Sequence, residues 1–214
     1  MASLFRRLLS RMPMARSTSA YDFGLDLLDL PPAPRLLDLG TGQGISSAYL
    51  SRRLPEAQVF TVDVTLECLK PEQLEMGPHP PAFIQATAPY LPLADSSLDA
   101  VLAVMTFHCL PEAAQVVAEA ARVLHPGGAF LLADVDGEHW MARPFEWVEH
   151  RGISSLTHAY TVGELRALAG AAGLTSLTVH RRPGKERGFM MWFVAYKELA
   201  APSGSQMRRH RRPT

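Results

Sequence analysis

Residues 36–44, LLDLGTGQG, decide the fold. An apolar run reaches Asp38, three glycines follow on alternate positions, and a helical pattern begins at Ile45. This order predicts a strand, a tight turn and the N-terminus of a helix. Glycine has no Cβ atom, so the backbone of the turn can bend sharply and lie directly against a ligand. The first turn of the helix adds unpaired N–H donors and a partial positive charge beside that ligand.

The glycine spacing separates two kinds of nucleotide site. A dinucleotide fingerprint, G-x-G-x-x-G, needs a third glycine at position 45, where this chain has Ile45. The observed pattern is D-x-G-x-G-x-G, with an acidic residue that would repel a phosphate and attract an amine. The sequence therefore disfavours a Rossmann dehydrogenase, while a plain strand-to-helix turn also uses glycines.

Strand and helix patterns alternate along the first two thirds of the chain. A short helix is predicted over residues 21–30. Beyond it, strands are predicted at residues 35–39, 58–62, 82–85, 98–104 and 129–135, and helices at 45–54, 66–76 and 112–124. The strand runs are apolar on both faces, which is typical of a parallel sheet covered by helices.

The last third has a different pattern. Residues 140–152 predict an irregular or short helical lid. Thr161 and Glu164 form a capping box for a helix that reaches Ala172 and ends at Gly173. Two further strands, 174–180 and 189–196, flank a basic turn and would be antiparallel. We therefore expect an α/β, doubly wound, mostly parallel seven-stranded sheet with one antiparallel strand near the C-terminal edge.

Composition indicates one domain between two basic tails. The chain has 214 residues, of which 47% are hydrophobic and 20% charged, enough for one substantial core. Eight of the 21 basic residues lie near the termini, leaving 13 basic against 21 acidic residues between them. Such an acidic body disfavours a broad nucleic-acid surface. We expect disordered tails at residues 1–20 and 199–214 and a single domain at 21–198.

The N-terminal tail contains arginine and serine but no acidic residue, as mitochondrial transit peptides do. Short basic tails also begin bacterial proteins, and the many Ala, Leu, Pro and Arg residues are typical of GC-rich bacterial genomes. We expect a cytoplasmic protein, with the mitochondrial matrix as the alternative. No apolar run reaches the roughly 18 residues of a membrane span, so no stable membrane insertion is expected.

Four motifs together carry a family resemblance. They are DLGTGQG, the acidic Asp63 at the end of the second strand, LPLADSSLDAVLAVMTFHCL around the fourth strand and EAARVLHPGGAFLLAD around the fifth. In this combination the chain resembles the class I S-adenosylmethionine-dependent methyltransferases that act on small molecules, the group often associated with ubiquinone and menaquinone biosynthesis. The resemblance covers about residues 35–196 and implies a Rossmann-like methyltransferase fold.

The resemblance implies S-adenosylmethionine as the cofactor. Asp38 would help to hold its ammonium group, directly or through water, and Asp63 would accept hydrogen bonds from both ribose hydroxyls. The alternatives are that Asp38 caps the loop and that Asp63 is a solvent-exposed strand end. The full set of implied cofactor-binding residues is Asp38, Gly40, Thr41, Gly42, Gly44, Asp63, Val64, Thr87, Ala88 and Val104.

One position departs from the family pattern. Relatives commonly carry an acidic residue followed by alanine after the third strand, where the acid accepts from the adenine amino group. This chain has Thr87 and Ala88 there. A threonine hydroxyl accepts a hydrogen bond without a charge, so we expect weaker cofactor binding or an adenine held by apolar and backbone contacts.

Methyl transfer from a sulfonium depends mainly on positioning, and a general base is needed only when the acceptor must first lose a proton. The sequence identifies no catalytic residue beyond one candidate, His108. This histidine follows the fourth strand, at the edge where open α/β sheets bind ligands. Its alternative role is to pack beneath the site.

The predicted lid combines aromatic and histidine side chains. The aromatic ones either form an apolar acceptor pocket or cover the sheet. We expect the lone histidines of this region to lie on the surface. The residues concerned are His139, Trp140, Phe145, Trp147, His150, His158 and Tyr160. Neither the histidine spacing nor the two cysteines, Cys68 and Cys109, match a metal site or a disulfide framework, so no metal is predicted.

The acceptor is predicted to be a small molecule. The chain has no N-P-P-Y-like tetrapeptide for methylating base amines and no Pro-Cys pair for attack on a pyrimidine. We expect in-line displacement by a small acceptor, no nucleic-acid partner and a monomer or homodimer. Two alternatives remain: a non-catalytic partner protein that keeps the fold, and an NAD-type nucleotide-dependent enzyme.

Overall fold

The computed structural model of the chain describes residues 18–67, 69, 71–152, 156–181 and 189–199. The predicted tails fall almost entirely outside these ranges, as do Cys68 and most of the basic turn before the last strand. The strands are β1 Arg35–Leu39, β2 Gln58–Asp63, β3 Ala82–Gln85, β4 Leu98–Val104, β5 Leu124–Val135, β6 Leu174–His180 and β7 Met190–Lys197. The helices are α1 Ser19–Leu25, α2 Ile45–Arg53, α3 Ala113–Val123, α4 Ala142–Gly152 and α5 Val162–Ala171.

The strands form one seven-stranded sheet in the order β3-β2-β1-β4-β5-β7-β6. Strand β7 is antiparallel to both of its neighbours, and the pairs among β1 to β5 are parallel. The predicted fold class is therefore confirmed, including the single reversed strand. The strand order reverses direction between β1 and β4, and ligands of open α/β sheets bind in the crevice at such a point.

Alternate residues of the strands enter two cores on opposite faces of the sheet. Leu37 and Leu39 of β1 pack in the core that contains residues of α3 and α5. Leu36, which directly precedes Leu37 and faces the other side of the sheet, packs in the core that contains residues of α1 and α2. Because both faces of the sheet are covered, the strands are continuous apolar runs in the sequence. Each fully buried leucine side chain contributes about 1.5–3 kcal/mol to the stability of the fold.

The helix predicted over residues 66–76 is wrong. Among the described residues of this segment, only the short 3₁₀ turn Pro71–Gln73 is helical. Proline has no N–H to donate and disfavours helical backbone at the residue before it, so Pro71 prevents a continuous helix. The apolar side chains of Leu69 and Leu74 instead pack against Gly44 of the glycine turn.

Other differences concern boundaries. Helix α1 ends at Leu25 and is followed by a turn, whereas the prediction extended it to residue 30. Strand β5 begins at Leu124, before the predicted start at residue 129, and its pairing with β4 shifts register between Leu98 and Ala100. The capping box of α5 forms as predicted, with Thr161 accepting from the N–H of Glu164 and Glu164 accepting in return. Within the described ranges no helix is both long and apolar enough to cross a membrane.

Arg122 of α3 ties the segment after β3 to the body of the domain. Its guanidinium donates to the carbonyl oxygens of Leu91 and Leu93 at 3.0 and 2.9 Å. It also donates to the carboxylates of Glu119 and Asp95. One cationic side chain therefore satisfies polar groups both on the segment 91–95 and on its own helix.

Replacing Arg122 by methionine is expected to lower the free energy of unfolding by about 2–3 kcal/mol, because two carbonyls and the Glu119 carboxylate lose a charged donor. Urea unfolding followed by circular dichroism measures this change. Arg166→Met, on the exposed face of α5, is the matched control and should leave the unfolding midpoint nearly unchanged. Equal losses in the two variants would contradict the assigned role of Arg122.

The stability contributed by Glu119 is expected to depend on pH. Hydrogen bonds from Arg122 and from the N–H of Leu91 lower the pKa of Glu119 below its usual 4.5. A lowered pKa in the folded state stabilises the fold above about pH 4.5, and the gain is lost as the pH falls through the folded-state value. Glu119→Gln should therefore destabilise the protein at pH 7 and approach the wild-type stability at pH 3, as measured by urea unfolding at both pH values.

Candidate cofactor and acceptor site

The glycine turn lies at the carboxyl end of β1, and its three glycines have different surroundings. Gly40, Gly42 and Gly44 all have positive φ angles, of +79°, +50° and +81°. A Cβ atom on Gly40 would lie 2.1 Å from Oγ1 of Thr106, and one on Gly44 would lie 2.5 Å from Leu69. A Cβ atom on Gly42 would have nothing within 4 Å. Gly40 and Gly44 thus allow neighbouring side chains to pack closely against the turn, whereas Gly42 faces open space.

Asp63 ends β2 beside this open space. Its Oδ2 accepts a hydrogen bond from the N–H of Gly42 at 2.9 Å, and its Oδ1 accepts from the N–H of Thr65 at 3.1 Å. The two backbone donors fix the carboxylate at the edge of the glycine turn. Each carboxylate oxygen has a second lone pair, so both can still accept from a ligand hydroxyl.

Asp38 is enclosed beneath the turn. The residue is fully buried, and its carboxylate accepts from the hydroxyls of Tyr21 at 2.8 Å, Ser46 at 2.7 Å and Ser47 at 2.8 Å. Burial raises the pKa of Asp38, and the three hydroxyl donors oppose that rise. Asp38 therefore joins α1, β1 and the start of α2 through a polar network that sequence reasoning did not foresee.

The remaining predicted cofactor residues lie at the same edge of the sheet with different exposure. Thr41 is buried, and its hydroxyl lies 2.8 Å from that of Ser47. Val64 directly follows Asp63 and is 65% exposed. Thr87 and Ala88 follow β3, which pairs with β2, and Thr87 is exposed whereas Ala88 is buried. Val104 ends β4 and packs in the core shared with α1 and α2.

His108 lies in the 3₁₀ turn Phe107–Cys109 after β4, and it is buried. Its Nδ1 lies 2.6 Å from Oδ1 of Asp134, and its backbone N–H donates to Oδ2 of the same residue at 3.0 Å. Burial alone would lower the pKa of His108, but the Asp134 carboxylate outweighs it and raises that pKa to about 11. A protonated imidazole has no lone pair with which to take a proton from an acceptor, so this pairing argues against His108 as a general base in this state.

Helix α4 covers His108. The ring of Phe145 meets the imidazole edge to face at a centroid distance of 5.2 Å. Glu149 of the same helix is buried, and burial raises the pKa of its carboxyl group. Sequence reasoning singled out neither Asp134 nor Glu149. The position of Asp134 near the end of β5 could have indicated it, whereas Glu149 sits within a helical pattern of charged and aromatic residues.

The other lid residues lie mainly on the surface. Trp140 and Trp147 are 77% and 57% exposed, and the guanidinium of Arg151 stacks over Trp147 at 3.8 Å. These tryptophans therefore form no closed acceptor pocket in this structure. His158 is also exposed and pairs with Glu146 and Glu164, at 3.4 and 3.1 Å.

The fold and the glycine turn define the class I methyltransferase architecture. Residues 37–132 match the sequence family described as a methyltransferase domain. A SAM-dependent methyltransferase structure from Thermotoga maritima superposes with a TM-score of 0.69 at 19% identity, covering 92% of this chain and all of the other. At that identity the superposition establishes the fold.

Curated relatives agree with this assignment. The malonyl-[acyl-carrier protein] O-methyltransferase of Methylococcus capsulatus is 29% identical over 85% of this chain and 66% of its own length. A phthiotriol/phenolphthiotriol dimycocerosates methyltransferase of Mycobacterium ulcerans is 34% identical over 53% of this chain and 41% of its own length. The chain thus spans about two fifths to two thirds of these relatives. In sequence and in fold, this chain is similar to the class I S-adenosylmethionine-dependent methyltransferases.

Proposed function

We propose that this chain binds S-adenosylmethionine across the carboxyl ends of β1 and β2 and transfers its methyl group to a small-molecule, carrier-linked or lipid-linked acceptor. The observation that carries the proposal is the pair formed by Gly42 and Asp63. Gly42 faces open space in a backbone conformation that favours glycine, and the Asp63 carboxylate is fixed 2.9 Å from its N–H. Backbone without a side chain, next to a carboxylate held in place as a hydrogen-bond acceptor, suits the ribose and the amino acid tail of the cofactor.

The residues of the turn have separate tasks in this proposal. Asp63 accepts hydrogen bonds from the ribose hydroxyls through the lone pairs left after its backbone contacts. Asp38 has all its known donors on hydroxyl groups and no exposed surface, so we assign it an indirect role. It orients Ser46 and Ser47 at the N-terminus of α2 and contributes negative charge beneath the ammonium group of the cofactor.

At the position where relatives carry an acidic acceptor for the adenine, this chain has the uncharged Thr87. Thr87 is exposed at the end of β3, where its hydroxyl is available to the adenine amino group. Val64, also exposed, offers an apolar surface beside Asp63. Hydrogen bonds between neutral groups are worth about half as much as charge-assisted ones, so the adenine is held more weakly than by a carboxylate.

The acceptor side is formed by the ends of β4 and β5 and by α4. The bound sulfonium supplies an activated methyl group, and the chain must align the acceptor with it and exclude water. His108 is buried with Asp134 at this place and is our candidate for contacting the acceptor. The malonyl-carrier relative is named an O-methyltransferase, which supports an oxygen acceptor. If that oxygen belongs to a carboxylate, no general base is needed, because a carboxylate is already ionised.

A methyl-transfer screen tests the activity. The purified chain is incubated with S-adenosylmethionine carrying a deuterated methyl group and with panels of malonyl thioesters, quinone precursors, phenols, amines and fatty acids. Mass spectrometry should find the label in one oxygen-bearing class. A chain that binds S-adenosylhomocysteine but labels nothing would support the alternative, a non-catalytic partner protein, for which Thr87 is the motivating departure. Binding of NAD alone would overturn the proposal.

A further inference from the structure

His108, Cys109 and Glu149 form a compact cluster of metal-ligating side chains. One nitrogen, sulfur or oxygen atom from each lies within 4.8 Å of the other two. His108 and Cys109 are adjacent in the turn after β4, whereas Glu149 comes from α4, which covers that turn. His108 and Glu149 are buried, and Cys109 is partly buried. The sequence did not predict this cluster, because its third member lies forty residues away.

Asp134 holds the histidine in the orientation that metal sites use. Its carboxylate engages Nδ1 of His108 at 2.6 Å, so Nε2 is the ring nitrogen that an ion would bind, in exchange for the proton that Nε2 carries in the metal-free state. Histidines that bind metals almost always donate their other ring N–H to a carboxylate, carbonyl or water, which fixes the ring and raises its basicity. The same carboxylate also accepts the backbone N–H of His108, so the turn itself is fixed.

The spacing of the three donor atoms is compatible with a bound ion. For donors 4.8 Å apart, the point equidistant from all three lies about 2.8 Å from each. Zinc requires about 2.3 Å to sulfur and about 2.0–2.2 Å to nitrogen or oxygen. Each donor atom would have to move toward the ion by less than about 1 Å to reach these bond lengths. Three protein ligands leave one of the four tetrahedral positions unfilled, which is the arrangement of catalytic zinc sites.

We propose that His108, Cys109 and Glu149 bind a zinc ion, with Asp134 orienting the histidine. A set with one imidazole, one thiolate and one carboxylate favours zinc over magnesium or calcium, since those ions prefer oxygen ligands. Zinc binding does not depend on the proposed methyl transfer. One consequence does rest on it: the unfilled position lies at the acceptor side of the sheet, where an acceptor oxygen or sulfur would bind the ion.

The test is a zinc titration of the full chain after removal of metal with EDTA and dialysis, in competition with a chromophoric chelator. The wild-type protein should bind about one zinc ion per chain, and its thermal midpoint should rise with zinc but not with magnesium. Cys109→Ser and Glu149→Gln should each weaken zinc binding at least about tenfold, and Asp134→Asn about 10–100-fold. Cys68→Ser removes the other thiol of the chain and should leave the affinity unchanged.

A wild-type chain that takes up no stoichiometric zinc would overturn the site, as would equal affinity in wild type, Cys109→Ser and Glu149→Gln. Circular dichroism of each variant shows whether it is folded, so that weaker binding by a folded variant supports the site. S-adenosylhomocysteine is titrated into the same metal-free protein. Cofactor binding without zinc binding overturns only this site, and zinc binding without cofactor binding supports this site while overturning the proposed function.

Discussion

Gly42→Val is expected to abolish binding of S-adenosylhomocysteine, with a loss of at least about 100-fold in affinity, or about 3 kcal/mol. Gly42 has a φ of +50° and no atom within 4 Å of the place where a Cβ would stand. The open space is where we place the ligand, and a branched side chain would fill it. Calorimetric titration of the folded variant measures the loss.

The valine also strains the backbone, so a matched control is needed. A non-glycine residue in the left-handed region costs about 1–2 kcal/mol. Gly173, after α5, has a φ of +75° and likewise has nothing within 4 Å of its Cβ position. Gly173→Val should lose similar stability and keep full affinity for S-adenosylhomocysteine. If both variants bind equally well, the ligand does not lie against Gly42.

Asp63→Ala is expected to weaken binding of S-adenosylhomocysteine by about 1.5–3 kcal/mol, or roughly 10–150-fold, the range for hydrogen bonds to a charged group. The variant removes the acceptor that we assign to the ribose hydroxyls. It also releases the N–H groups of Gly42 and Thr65, so a modest loss of stability accompanies it. Calorimetry gives the affinity, and urea unfolding gives the stability.

Asp99→Ala provides the comparison for Asp63→Ala. The Asp99 carboxylate accepts a backbone N–H, that of Arg35, at 2.7 Å, but it lies at the opposite end of the sheet, near the start of β4. This variant should lose stability and retain cofactor affinity. An unchanged affinity in Asp63→Ala would show that the ribose has been placed at the wrong residue.

The architecture and one edge of the site were predictable because they depend on local pattern. Residues 36–44 predicted a strand, a turn and a helix, and each of these is present. The capping box at Thr161 and the reversed last strand followed from short-range signals in the same way. Asp63 could be placed because a residue at the end of a parallel strand must lie at the ligand-binding edge.

Other features depend on contacts between distant segments, which periodicity does not encode. The glycine run predicted that the backbone of all three glycines would lie against the ligand. In the structure, Gly40 is required because Thr106 packs against it, and Gly44 is required because Leu69 packs against it. The apolar residues near position 70 predicted a helix, but Leu69 and Leu74 instead pack against Gly44 of the turn after β1. Glu149 meets His108 only because α4 folds over the turn after β4.

The most direct test of the central claim is a calorimetric titration of the full chain with S-adenosylhomocysteine and, separately, with NAD. Our account predicts about one molecule of S-adenosylhomocysteine bound per chain, no heat with NAD, and loss of the signal in Gly42→Val but not in Gly173→Val. Binding of NAD with no binding of S-adenosylhomocysteine would contradict it.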